Sequence, residues 1–175
     1  VDSTQALTYK LNDGYEIPAI ALGTSLGHLA DGTRVLPVNH SLARAVQWAL
    51  EAGYRHIDTA SLYRVEDEVG LGVRNFINKG EATRQDVYIT TKLWNDAHER
   101  NEVLPALLKS LEELQMVYVD LYLMHYPMGY RYLTSNSTSF KPCWRLIFMS
   151  SIPRHEMRRL SRCVTALRCS HTAVI

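Results

Sequence analysis

Asp58 and Tyr63 stand five residues apart in the stretch from Gly53 to Gly70, GYRHIDTASLYRVEDEVG, which lies between two helical patterns. The run Arg55-His56-Ile57-Asp58 is short and β-like, and a helix opens after Val65, so the acid and the phenol flank the exit of a strand. Strand exits are where α/β proteins place their chemistry. The same criterion selects Thr24, Lys92 and His125, each just past another apolar run. A phenol with a reference pKa of about 10 is a poor proton donor at neutral pH. An ammonium beside it favours the phenolate and eases the transfer. A carboxylate on the far side of the lysine would fix that ammonium, and an imidazole can hydrogen-bond and orient an incoming carbonyl oxygen. Together these groups could protonate an alkoxide as it forms, which is what reduction of a carbonyl by a hydride donor requires.

The elements that must position them follow in order. Thr8–Leu11 and Glu16–Pro18 surround Asn12-Asp13-Gly14-Tyr15, and Asp-Gly predicts a β-hairpin. Ala19–Gly23 is the first core strand. From Ser41 to Ala52 the apolar residues Leu42, Ala45, Val46, Ala49 and Leu50 have helical spacing, with Asn39 or Ser41 as cap and Gly53 as stop. Arg55–Asp58 is the second strand. A helix from Glu66 to Asn78 opens on three acidic residues, suited to its positive end, and turns Val69, Val73, Phe76 and Ile77 inward. Gly70 and Gly72 cost that helix about 1 kcal/mol each relative to alanine, which close packing would explain. Val87–Thr91, running into Lys92-Leu93-Trp94, is a third strand. Asn101 is the expected cap of a helix bearing Leu104, Leu107, Leu108, Leu111 and Leu114, and Tyr118–Met124 is a fourth strand. Strands alternating with helices through short connections predict a parallel sheet of class α/β, either barrel or open sheet. No GxGxxG or P-loop follows any strand, which argues against an open dinucleotide-binding sheet.

The stretch Gly53–Ala60 with Tyr63, Glu66, Val69 and Gly70 resembles the first signature of the aldo-keto reductase family. Thr91-Lys92-Leu93-Trp94 resembles that family's catalytic-lysine strand, Tyr118–His125 with Pro127 its histidine strand, and Gly23-Thr24 its first cofactor loop. The resemblance covers about residues 7–128. It implies a TIM (β/α)8 barrel, here only about the first four βα units after a hairpin, that reduces aldehydes or ketones with NADPH. It implies Tyr63 as general acid, Lys92 and Asp58 as its support, and His125 as the group that positions the carbonyl. Gly23, Thr24 and Asp58 would lie at the nicotinamide, and Trp94 and Tyr126 would line the substrate pocket. Val65 departs from the family's usual asparagine.

Bulk numbers set the remaining expectations. The 175 residues suffice for one domain with a core, and the formal charge of +1 divides into −6 over residues 1–128 and +7 over 129–175. The matching body, 1–128, is therefore read apart from a basic, poorly ordered tail, 129–175. That tail is expected to be a substituted C-terminus from splicing, a frame change or a wrongly assigned gene, which transcript sequence across the Gly129 codon tests. All three cysteines, Cys143, Cys163 and Cys169, lie in the tail, so the body fits a reducing, cytoplasmic compartment. Nothing at the N-terminus resembles a signal peptide and no window approaches the roughly 18 apolar residues of a membrane helix, so no membrane partner is expected. His155, Cys163, Cys169 and His171 match no zinc spacing, so no metal is expected. Arg158, Arg159 and Arg162 lack interleaved aromatics, so no nucleic acid is expected either. Half a barrel would leave strand edges open, which predicts self-association or, alternatively, a catalytically inactive, truncated member acting through a partner chain.

Overall fold

The computed structural model describes residues 7–11, 13–80 and 82–129, with the backbone of 173–174. The cysteines, His155, His171 and the arginine cluster lie outside the described residues.

The chain opens on the expected hairpin, β1 (Thr8–Lys10) against β2 (Glu16–Pro18), antiparallel with Tyr9 opposite Ile17. Four strands then lie side by side in chain order, all parallel: β3 (Leu22–Gly23), β4 (His56–Asp58), β5 (Tyr88–Leu93) and β6 (Leu121–Met124). A short β7 (Ala173–Val174) pairs parallel with β6. The connections carry α1 (Ser41–Glu51), α2 (Glu66–Ile77) and α3 (Val103–Leu114). Side chains alternate across the sheet as strand geometry demands. Ile57, Ile89 and Leu93 join Val46, Leu50, Val69, Val73, Phe76 and Leu114 in the core beneath the helices. His56, Asp58, Thr90 and Lys92 occupy the other face, where His56 Nε2 lies 2.8 Å from Thr90 Oγ1. The register places Gly23 opposite Asp58, Asp58 opposite Thr90, and Lys92 opposite Leu123.

Helix ends and helix contacts have residue-level causes. Gly53 at φ +102° lets α1 stop in a left-handed turn: the Gly53 N–H donates to Leu50 O at 3.1 Å and the Tyr54 N–H to Ala49 O at 3.0 Å. Gly70 and Gly72 do serve close approach. A Cβ on Gly72 would fall 2.5 Å from the Ala43 carbonyl oxygen of α1, and one on Gly70 2.1 Å from that of Leu114 in α3.

Several expectations change. The first core strand is Leu22–Gly23 rather than Ala19–Gly23, because the Ala19 N–H is already given to Leu7 O of the hairpin. The fourth strand begins at Leu121, not Tyr118, since the Tyr118 carbonyl and the Asp120 carboxylate accept hydrogen bonds from Arg84 instead. Neither Asn39 nor Ser41 caps α1. The N-cap is His40, and the third helical N–H, from Ala43, is taken at 3.0 Å by Glu68 Oε2 of α2. Glu102, not Asn101, precedes α3. On α3 Leu107 and Leu114 are buried, whereas Leu108 is 53% exposed and Leu104 37%.

Candidate active site

The C-terminal ends of β3 to β6 meet on the polar face of the sheet, and the residues singled out from the sequence meet there too. Asp58 is the last residue of β4. Lys92 lies near the end of β5, and its Nζ donates to Asp58 Oδ1 at 2.5 Å and to the Thr59 carbonyl at 2.9 Å. Tyr63 ends the short 3-10 turn Ser61–Tyr63, and Lys92 Nζ reaches its hydroxyl at 3.5 Å. The lysine side chain is 14% exposed, so this ammonium is held by three oxygens largely out of solvent. Withdrawal from water strengthens such charge-assisted bonds.

His125 follows β6 and is anchored by its N–H to Leu93 O at 3.0 Å. Its ring meets the Tyr63 ring edge-on at 5.6 Å, the Trp94 ring edge-on at 5.3 Å, and stacks on Tyr126 at 4.8 Å. Burial, then the nearby Lys92 charge, hold the imidazole below its ordinary pKa, so near neutral pH it is uncharged. Its Nδ1 is buried without a partner among the described residues. Trp94 and Tyr126 extend the aromatic wall, their rings 6.0 Å apart. At the end of β3, a Cβ on Gly23 would meet nothing within 4 Å, so space stands open beside Asp58. Thr24 is buried, and its hydroxyl donates to Asp58 O at 3.0 Å.

The structure thus gathers Asp58, Tyr63, Lys92, His125, Trp94 and Tyr126 into one cluster, with Gly23 and Thr24 at its edge. His56 stays apart as packing, edge-on to Tyr88 at 4.9 Å. Three contributors escaped the sequence reading. The Thr59 carbonyl completes the lysine's shell, Ser61 Oγ donates to the Lys92 carbonyl at 3.1 Å, and Glu66 is buried against β5. The first is a backbone atom, and the partners of the other two lie 31 and 25 residues away, so although Glu66 belongs to the resembling stretch, nothing local tells what it or Ser61 binds. Among the described residues no group of three or more His, Cys, Asp or Glu could hold a metal ion, and no helix is long and apolar enough to cross a membrane.

This arrangement can be compared with known proteins. A family model described as the aldo/keto reductase family matches residues 19–154. Aldo-keto reductase AKR2E4 of Bombyx mori is 48% identical over 127 residues, which are 73% of this chain and 40% of that protein. Human aldo-keto reductase family 1 member C2 is 42% identical over 120 residues, 69% of this chain and 35% of that one. The crystal structure of Bombyx mori AKR2E4 in complex with NADP matches with a TM-score of 0.76 and 37% identity, covering 98% of this chain and 51% of that one. The aldose reductase structure from Schistosoma japonicum matches with a TM-score of 0.74 and 29% identity, covering 52% of its length. The chain therefore spans 40% or less of these curated relatives and about half of these solved structures. Its parallel sheet and helices are those of part of a (β/α)8 barrel.

Proposed function

The chain belongs to the aldo/keto reductase family of oxidoreductases, and from that premise we propose that it reduces an aldehyde or ketone to the alcohol with NADPH, Tyr63 giving the proton. The observation that carries the reading is the Lys92 ammonium, 2.5 Å from Asp58 and 3.5 Å from the Tyr63 hydroxyl. As a hydride adds to the carbonyl carbon, the π electrons move to oxygen, and that oxygen takes the phenolic proton of Tyr63. The phenolate left behind is stabilised by the ammonium in front of it. Asp58 and the Thr59 carbonyl hold that ammonium in place, aimed at the phenol.

Uncharged His125 fits the role of positioning the carbonyl. With its proton on Nε2, the buried and unpaired Nδ1 is a bare acceptor, which costs less than an unpaired N–H. The ring then serves as a donor toward the substrate oxygen. Trp94 and Tyr126 would wall the pocket for the rest of a small-molecule carbonyl. Gly23, Thr24 and Asp58 would hold the nicotinamide end of the dinucleotide, which when bound supplies the hydride. The complex of the Bombyx mori relative with NADP supports this choice of cofactor.

The test is NADPH consumption by the purified chain with a reactive aromatic aldehyde, against Tyr63→Phe. Loss of a positioned general acid is expected to cost about 100-fold or more in turnover. Equal rates in parent and variant would overturn Tyr63 as the donor. Folded protein that consumes no NADPH would overturn the proposed activity of this chain.

A further inference from the structure

Tyr63 is bracketed. Two residues before it, Ser61 Oγ donates to the Lys92 carbonyl at 3.1 Å; three residues after it, Glu66 Oε1 accepts from Thr91 Oγ1 at 2.6 Å. Both ties end on adjacent residues of β5, one on the backbone carbonyl of Lys92 and one on the side chain of Thr91. Glu66 is 5% exposed, opens α2, and its Oε2 also accepts from Ser110 Oγ of α3 at 3.2 Å. Burying a carboxyl at that point is costly, and burial raises its pKa. The first turn of a helix is ordinarily solvated, so local helix needs do not account for the burial. What the carboxyl accomplishes is to lock the start of α2, and with it the turn carrying Tyr63, onto the strand carrying Lys92.

We infer that Glu66 and Ser61 form a two-point clamp that sets the separation between the Tyr63 hydroxyl and the Lys92 ammonium. They are positioning residues, touching neither substrate nor cofactor. The catalytic side of this inference rests on the reading of Tyr63 as proton donor, and the geometric side does not.

The experiment uses the full 175-residue chain with Thr91→Val, Glu66→Leu, Glu66→Gln, Ser61→Ala and Ser110→Ala. Two quantities are measured: kcat and KM for the aldehyde, and the acetylation rate of the Lys92 amine by acetic anhydride, mapped by mass spectrometry. Thr91→Val, Glu66→Leu and Ser61→Ala are expected to lower kcat about tenfold or more with KM little changed, because misplacement acts on the proton transfer. In the same variants Lys92 acetylates several-fold faster. Glu66→Gln keeps a hydrogen-bonding group toward both hydroxyls and stays near the parent. Ser110→Ala removes a bond from the same carboxyl on the α3 side; it lowers the unfolding midpoint and leaves both readouts in place. Should Glu66→Leu fail to fold, the near-isosteric Thr91→Val decides alone. Parent-like acetylation and kcat in Thr91→Val would overturn the clamp. Faster acetylation in Thr91→Val from a parent that turns over no aldehyde would overturn the reductase reading and leave the clamp standing.

Discussion

At the scale of single residues, the imidazoles give the most direct test of the surroundings described. His56 and His98 are held below the ordinary pKa by burial, and His125 by burial and then by Lys92. The unfolded chain protonates each near the reference value of about 6.5, whereas the folded chain does so only at lower pH. Between those values the unfolded state binds more protons, so stability falls as pH drops through about 6.5 and levels off below the folded pKa values. Glu66 opposes this: burial raises its carboxyl, the fold takes that proton first, and its contribution grows as pH falls. With that opposing contribution removed by Glu66→Gln, the urea midpoint is expected to be lower at pH 5.5 than at pH 7.5. His56→Gln should shrink the difference, and an unchanged difference would exclude His56 as a contributor. The residue scale was also where the sequence was most legible. Asp58, Tyr63, Lys92 and His125 could be chosen because each follows an apolar run. Glu66 could not be given a role, because an acid in a first helical turn has a sufficient local explanation in the helix dipole. Only the tertiary contacts to Thr91 and Ser110 distinguish it.

At the scale of elements, α2 sits between α1 and α3 with a glycine at each crossing. Gly72→Ala gains helix propensity of about 1 kcal/mol but drives a Cβ to 2.5 Å from the Ala43 oxygen and 2.7 Å from Val46 Cβ. Backbone atoms yield little, so overpacking should dominate and cost a net 1–3 kcal/mol, roughly. Urea unfolding would measure it, and a variant as stable as the parent would mean that α1 and α2 separate without penalty. The order of strands and helices was readable from periodicity, since runs of alternating or i, i+3, i+4 spacing persist whatever they pack against. Element ends were less readable. A strand ends where its partner ends, so Ala19 went to the hairpin and Tyr118 to Arg84. The five leucines of α3 likewise share one helical stripe in sequence, yet what each meets depends on neighbours, and Leu104 and Leu108 meet solvent.

At the scale of the whole molecule, the two ends of the parallel sheet have different work. The C-terminal ends hold the cluster around Lys92. The N-terminal ends hold a brace in which Arg84 pairs with Asp120 at 2.7 Å, lies 4.1 Å over the Tyr118 ring, and shares Asp120 Oδ2 with the Ile89 N–H at 2.8 Å. Asp120→Asn should therefore lower stability by about 1–3 kcal/mol, the worth of hydrogen bonds to a charged group, while KM for the aldehyde stays put. A change in KM without a change in unfolding midpoint would mean that the ends are not separable in this way. The alternation of side chains along β5 carries one more consequence, for how this segment can change length. Lys92 faces the site only because an even number of steps separates it from Thr90, while Thr91 faces Glu66 because its count is odd. A single residue lost between Tyr88 and Thr91 would swap every assignment downstream in β5, turning the ammonium toward the core and Leu93 toward the polar face of the sheet. The connecting loops, bound by no such parity, can lengthen or shorten one residue at a time without turning any strand side chain over.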